Sequence, residues 1–538
     1  MSDRQAQTSA VFILGGGVMQ LPAIQAARSL GCRVHVADGN PECPGASRAD
    51  QFHHVDLRDR EGLIETARGI PALKGVFTAG TDFSTSVAAV TEALGLPGIP
   101  YESSLDATDK ARMRAVLAAA GLPVPRFTAI RDTGELDRSC RDLAFPLVVK
   151  PADSMGARGV RRVNDPTLLK EAVEQALPFS RSGTAIVEEF IPGQEFSLDA
   201  IVVDGKVRIT GVALRHIFFP PHFVEMGHTI PAILSREDRN LLEKTFAAAV
   251  RALGINRGAA KGDLFLDLSG KTARAVVGEV AARLSGGYMS GWTYPLATGI
   301  PLTEIGIRVA LGENPGDALF TPKYENYVAE RALISCPGVI RAVEVPEKTP
   351  PGVEELFIRY RPGDTVRPPS NNVEKIANAI ARDINPEAAE DHALRALDQI
   401  VVRLEPGNRE TETFLFSRDG AGVFRRYRPL GGDGPGSLEH LPWISGNADA
   451  VLARMREERP IPVLDPEVSW QPCYPVLPAE HVLASLLERG RIELVRNGRY
   501  TDALGRLFWN AFAAAGRQGS EYVLDVLASG RVPSEAQE

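Results

Sequence analysis

The sequence predicts an α/β and α+β multidomain protein, and three observations lead there. The chain of 538 residues is too long for one ordinary hydrophobic core, so three or four domains are expected. Its first hundred or so residues alternate short apolar runs with amphipathic stretches, the pattern of a parallel α/β unit. From Phe145 onward the apolar runs follow one another as strands joined by tight turns, the pattern of an α+β unit. With 44% hydrophobic and 24% charged residues, the balance is that of a folded chain rather than a disordered or fibrous one.

The elements follow in order. VFIL reads as a strand, AIQAARSL as a helix, VHVAD as a strand, REGLIETA as a helix, GVFTAG as a strand and SVAAVTEAL as a helix. Asp109 to Ala120 reads as a helix ended by Gly121, and the following Leu-Pro-Val-Pro forces an extended connection into a new domain. PLVVK, VRRV, TAIVEEF, FSLDAIVV and KVRITGVAL are strands, with a hairpin turn at Asp204-Gly205. Residues 236–253 form an amphipathic helix closed by Gly254, and AAKGDLFLDL and ARAVVGEVAA are strands joined at Ser269-Gly270-Lys271. Residues 325–405 read as short strands with helices around VEKIANAIA and AAEDHALRAL. The rest carries a Gly-rich loop, LGGDGPGS, helices from about Ala479 to Leu527, and no chemical motif.

Composition narrows the partners. The formal net charge of -8 is spread along the chain without a basic run, which argues against nucleic acid and against an anionic membrane surface. Cys32, Cys43, Cys140, Cys336 and Cys473 are far apart, without the spacing of a zinc site or a disulfide framework. The polar start, MSDRQAQTSA, predicts no signal peptide, and no apolar run is long enough to span a bilayer. A cytoplasmic location is expected.

Three segments carry chemistry. In FPLVVKPADSMGARGVRRV a strand delivers Lys150 beside a loop with Gly156 and Gly159. Glycines let backbone N–H groups approach phosphate oxygens, and a lysine adds a point charge to the same anion; a solvated hairpin is the plainer alternative. In VEEFIPGQEFSLDAIV, Glu188, Glu189 and Glu195 surround a strand end and a Pro-Gly turn. Backbone groups from Glu189 to Ile191 can read an adenine edge and Glu195 can accept from both ribose hydroxyls, or these acids guard a strand edge. Asp263 and Glu279 lie on consecutive strands and can face each other. Magnesium takes one or two carboxylates with phosphate oxygens and water; a surface ladder is the alternative. Alternation places Glu279, Ala281 and Arg283 on one face, so that Arg283 can hold an anionic substrate near the metal.

In this order the motifs resemble the ATP-grasp superfamily over about residues 11–405. The resemblance implies a Rossmann-like N-terminal domain (1–106), an ATP-grasp domain of two α+β subdomains (107–324, with a nucleotide lid at about 126–187), an appended α+β subdomain (325–405) and a mainly helical C-terminal extension (406–538). By the same resemblance Lys110 and Lys150 reach the ATP phosphates, Glu188 and the Glu189–Ile191 backbone bind adenine, and Glu195 binds ribose. Asp263 and Glu279 hold magnesium, with manganese as a substitute, and Arg283 stabilises the carboxylate or acyl phosphate. The chain departs from the family's Glu-x-Asn-x-Arg: it reads Glu279-Val280-Ala281-Ala282-Arg283, and alanine cannot coordinate. Ser285-Gly286-Gly287 offers backbone donors to an oxyanion in compensation.

The stretch VEMGHTIPAIL, followed by LGINRGAAKGDLFLD and EVAARLSGG, most resembles the branch that joins amino acids through a carboxylate and an amine. There Glu225 and His228, with Arg215 and His216 in the preceding strand, are candidates for small-molecule substrates, against the alternative of a satisfied structural histidine. A carboxylase using bicarbonate, an NAD-dependent oxidoreductase and a regulatory nucleotide binder are the competing readings. The GGGVMQ loop with Asp38 gives the redox reading, which is weakened by Gln20 at the place of a third glycine. A homodimer through the N-terminal domain is expected by resemblance.

Overall fold

The structure, a computed structural model, describes residues 8–416 and 502–531. The chain divides into two compact units, Met1–His216 with His228–Ala329 and Arg382–Pro386, and Ile217–Gly227 with Glu330–Ala381 and Glu387–Glu538.

In the first unit β1 (Ala10–Leu14), β2 (Arg33–Asp38), β3 (Gln51–His54) and β4 (Leu73–Phe77) form a parallel sheet in the order β3-β2-β1-β4. β1 is buried along its length, so it reads as a continuous apolar run, as strands covered on both faces do. Helices Leu21–Ser29, Arg60–Arg68 and Ser84–Leu94 alternate with the strands. The sequence reading missed β3, because QFHH carries two histidines and no apolar alternation. The helix Lys110–Ala119 begins at Asp109, whose carboxylate accepts from the N–H groups of Ala111 and Arg112. It is followed by Gly121 at φ +72°, a left-handed residue that suits a helix end.

The next sheet contains β5 (Phe127–Ile130), β6 (Leu147–Pro151), β7 (Arg161–Val163) and β8 (Ala185–Glu189), paired antiparallel in the order β5-β8-β6-β7. The helix Leu169–Ala176 lays Ala172, Val173 and Ala176 against Leu147, Val149 and Val187. A third sheet brings together β9 (Gln194–Val203), β10 (Lys206–Phe218), β12 (Gly258–Asp267) and β13 (Arg274–Ala281) in the order β13-β12-β9-β10, with β11 (Val224–Ile230) beside β10. The turn between β9 and β10 has positive φ at both Asp204 (50°) and Gly205 (75°), the twist-matched hairpin that Asp-Gly predicts.

The helix Arg236–Ala252 covers one face of this third sheet, packing Leu242, Phe246 and Val250 with Leu198, Leu264 and Val277. A Cβ on Gly262 would lie 2.6 Å from the Phe246 ring, so glycine is what lets the helix sit there. With the apolar residues on the helix side, alternation sends the polar residues of β9 and β12 to the opposite face, and a register shift in β13 brings Glu279 there as well. β13 ends at Ala281, earlier than an alternation running through Arg283 requires. Arg283 lies in a bend beyond it, and Leu284 bridges in parallel to Ala79.

In the second unit β14 (Tyr327–Leu333), β18 (Ala377–Asp383) and β16 (Val353–Ile358) are neighbours in that order. A smaller sheet has the order β17-β15-β19, with β15 (Gly338–Glu344), β17 (Thr365–Val366) and β19 (Val401–Leu404). The helix expected around VEKIANAIA is instead β18, with Ala377–Ala381 fully buried. A strand buried on both faces and a short buried helix share the same run of apolar residues, and here length and pattern misled. The helix expected at AAEDHALRAL spans Pro386–Asp398.

Two helices, Asp502–Ala515 and Arg517–Ala528, close the described chain. The second is tied to the smaller sheet by Arg403–Asp525 at 2.5 Å, and Gln518 Oε1 accepts from the Cys336 N–H at 3.0 Å. The expected helical residues 479–501, the LGGDGPGS loop and Cys473 lie outside the described residues. Cys32, Cys43 and Cys140 are free and buried, and Cys336 is buried beside Gln518. Among the described residues no helix is long and apolar enough to cross a membrane.

Candidate active site

The polar face of the third sheet arranges its residues in two rows across the strands. In one, Ser197 on β9, Asp263 on β12 and Glu279 on β13 are direct partners; in the other, Asp199, Lys261 and Ala281 are. Asp263 therefore does face Glu279. The pairing depends on a register shift between Asp263 and Leu264, a bulge with Gly278 as the extra residue that turns Glu279 toward Asp263. Asp263 Oδ2 receives the Lys261 ammonium and, at 3.0 Å, the Arg215 guanidinium. Asp263 Oδ1 is buried and has no hydrogen-bond partner among the described residues.

Glu279 shows how the cations converge. Burial works against its charge, but Lys110, Lys261, Arg283 and Lys150 outweigh that and hold its carboxyl down at about 2. A carboxylate kept ionised beside a bare buried oxygen suits a divalent cation. Among the described residues no group of three or more His, Cys, Asp or Glu is placed to hold an ion. An ion at Asp263 and Glu279 would thus complete its shell with phosphate oxygens and water, as magnesium commonly does.

Lys110 opens its helix, is 5% exposed, and donates its ammonium to Ser154 O at 2.8 Å. That bond ties it to the loop after β6 that carries Gly156 and Gly159, at φ +74° and +69°. Asp153 anchors the same loop by accepting from Ser180 Oγ and from the N–H groups of Arg181 and Ser182. Lys150 meets Glu188 at 2.6 Å, and Arg114 meets the other oxygen of Glu188 at 2.7 Å. The sequence reading passed over Arg114, since an arginine on an amphipathic helix looks solvated; its side chain is fully buried. Burial favours the neutral form of Glu188, yet Arg114 and Lys150 hold its carboxyl below the usual range. Glu188, expected at adenine, is thus a buried counter-ion between two cations.

The adenine edge is narrower than expected. The N–H groups of Glu189 and Phe190 donate to Arg126 O and Pro146 O, both at 2.9 Å, and the Glu189 carboxylate accepts from Arg126 and the Ala144 N–H. Of the expected backbone donors this leaves Ile191. Glu195, expected at ribose, is ion-paired with Arg215.

At the other end, Arg283 donates to Thr81 O at 2.7 Å and to Leu284 O at 3.1 Å, and Gly80 N–H donates to Leu284 O at 3.1 Å. The loop after β4 therefore reaches this site. Ser285 does not keep donors for an oxyanion: its N–H and hydroxyl both go to Asp199, leaving Gly286 and Gly287 for that role. Burial pushes Asp199 up to about 6, against the opposing pull of the Ser285 bonds, Lys261 and Arg283. His228 is fully buried and shares a 2.8 Å hydrogen bond with Thr293, an environment that fits the alternative of a satisfied structural histidine. His216 pairs with Thr229 at 3.0 Å. Glu225 lies in the second unit, where its N–H donates to Asn372 Oδ1 and its carbonyl accepts from Lys375.

The N-terminal glycine loop is occupied by its own chain. Asp38 accepts from the Gly16 N–H at 2.7 Å and the Asn40 N–H at 2.8 Å, and Gln20 bonds both the N–H and the carbonyl of Ala79. The acidic residue that would read a dinucleotide ribose is spent on the loop itself.

Residues 143–290 match the model of the ATP-grasp domain, and residues 331–405 match L-amino acid ligase C-terminal domain 2. Over 290 residues, 49% of this chain and 79% of the relative, the chain is 32% identical to a putative D-alanine–D-lactate ligase of Streptomyces coelicolor. The chain belongs to the ATP-grasp ligases. A D-alanine–D-alanine ligase of Marinobacter nauticus is 30% identical over 206 residues, 37% of this chain and 62% of that relative. An L-amino acid ligase structure from Bacillus licheniformis aligns at a TM-score of 0.64 and 24% identity, over 74% of this chain and 99% of that one, a likeness of fold. ATP-grasp ligases use ATP and magnesium, and the lysine pair and the Asp263–Glu279 row of this ligase fit both.

Proposed function

We propose that this ATP-grasp ligase is a carboxylate–amine ligase, in which ATP phosphorylates a small carboxylate and an amine then displaces phosphate from the acyl phosphate. An amino acid or a related small acid is the proposed carboxylate. The observation that carries the reading is the pairing of Asp263 with Glu279 across β12 and β13, with Asp263 Oδ1 bare, Lys261 on the same face and Lys110 tied to the glycine loop. Such a cluster suits phosphoryl transfer, which asks a protein for positioning and charge neutralisation rather than for a covalent nucleophile. The match of residues 331–405 to L-amino acid ligase C-terminal domain 2 favours an amino acid over bicarbonate.

In this reading Lys110 and Lys150 hold the β- and γ-phosphates, with the Gly156–Gly159 loop folded over them. Ile191 meets the adenine and Glu195 the ribose. Asp263 and Glu279 would hold magnesium, which would supply charge neutralisation for the transferring group. Arg283, fixed by Thr81 O and Leu284 O, holds the acceptor carboxylate in line, and the N–H groups of Gly286 and Gly287 face the developing oxyanion.

ADP release is measured with ATP, magnesium and pools of amino acids, and products are identified by mass. Release that requires amino acids and yields an amide-linked product is expected. Release with bicarbonate alone would replace this reading with a carboxylase, and no release with any pool would favour a regulatory nucleotide binder.

A further inference from the structure

Asp263 is divided between two kinds of partner. Its Oδ2 carries Lys261 and Arg215, whereas its Oδ1 is buried and bonded to nothing among the described residues. Lys261 precedes Asp263 by two residues on β12, so the two side chains share a face. The partner of Lys261 across β13 is Ala281, as the partner of Asp263 is Glu279. The row that lacks an oxygen ligand is therefore the row that holds an ammonium. That ammonium is well placed to stay: the Lys261 side chain is 13% exposed, and its row partner on β9 is the buried Asp199.

We propose that Lys261 is a built-in cation of the phosphoryl-transfer site, its ammonium taking the place of a second divalent ion while Asp263 Oδ1 and Glu279 hold a single one. The inference rests on the nucleotide reading above. Charge explains why the two occupants exclude each other. A second ion would have to share Asp263 Oδ2 with an ammonium and a guanidinium, and repulsion between like charges grows as water is excluded from the site. Magnesium also demands a near-octahedral oxygen shell, and Ala281 contributes no oxygen to one. A lysine makes no such demand: its ammonium is a compact point charge with three donors and can sit on a phosphate oxygen directly. Arg215 is less suited to that role, because Glu195 holds it as well.

Manganese is the probe, counted by electron paramagnetic resonance while the full chain, saturated with a non-hydrolysable ATP analogue, is titrated with Mn2+. The wild type is expected to hold close to one ion per bound analogue, and Lys261→Ala combined with Ala281→Asn close to two, as the freed Asp263 oxygen and a new amide oxygen complete a second shell. Lys261→Arg is expected to remain near one. Two tightly held ions in the wild type would overturn the proposal, and so would a double variant that binds the analogue yet stays at one. A wild-type count of two overturns the proposal even if the double variant does not fold. Absence of any analogue-dependent Mn2+ binding by the wild type would instead remove the nucleotide reading, and the role of Lys261 with it.

Discussion

Replacing Arg114 by methionine should cost the fold about 3 kcal/mol at neutral pH. The arginine is fully buried and its Nε lies 2.7 Å from Glu188, whose side chain is 3% exposed. Removing one partner of a buried ion pair costs about 3–5 kcal/mol, because the remaining charge is stranded in low dielectric. Here Lys150 stays on the other Glu188 oxygen at 2.6 Å, which places the expected loss at the lower end of that range. The pH dependence has a definite sign. In the wild type burial raises Glu188, but Arg114 and Lys150 prevail and hold it below its ordinary 4.5. Such a carboxylate contributes stability that is complete above its unfolded value and lost as the pH falls through the folded one. With Arg114 gone the folded value rises, so the gap between variant and wild type should be widest near pH 7 and shrink below about pH 4. Urea unfolding followed by circular dichroism at both pH values measures it. A loss under about 1 kcal/mol at pH 7, the level of an exposed pair, or a gap that does not shrink in acid, would refute the reasoning.

Other changes probe neighbouring parts of the site. Burial raises Asp199 from 3.8 to about 6, so its contribution to stability is complete below pH 3.8 and is lost as the pH rises through about 6. That difference corresponds to about 3 kcal/mol, and Asp199→Asn should gain on the wild type by up to this amount between pH 4 and 7. A variant-to-wild-type difference that stays flat across this window in unfolding titrations would contradict it. Gly159→Ala adds a Cβ 2.7 Å from the Phe179 ring. Phe179 is 49% exposed and can yield, so the φ of +69° sets the cost, about 1–2 kcal/mol. The nucleotide KM should rise with it, and an unchanged KM would take the glycine loop away from the phosphates.

The frame of this site was legible in the sequence where its cause is local. Lys150 near a strand end, glycines that need positive φ and an Asp-Gly hairpin all act over a few residues, and the short turn joining β12 to β13 was enough to set Asp263 and Glu279 on facing strands, although a register shift makes them direct partners. What was not legible depends on partners distant in the chain. Ser285 loses its donors to Asp199, 86 residues away. Arg114, on a helix, is made a buried ion by Glu188, which arrives on β8, and Arg283 is fixed by Thr81, 202 residues earlier. β18 was misread for a related reason, since burial on both faces erases the alternation that marks a strand.

The central claim is that Lys150 and the residues around Glu279 form one phosphoryl-transfer site, and the Lys150→Ala protein tests it most directly. With ATP, magnesium and whichever amino-acid pool supports wild-type turnover, ADP release should fall at least about a hundredfold, the scale of losing one electrostatic contact to a developing charge. The variant should keep the wild-type circular dichroism spectrum. A folded Lys150→Ala protein that releases ADP at the wild-type rate would contradict the account.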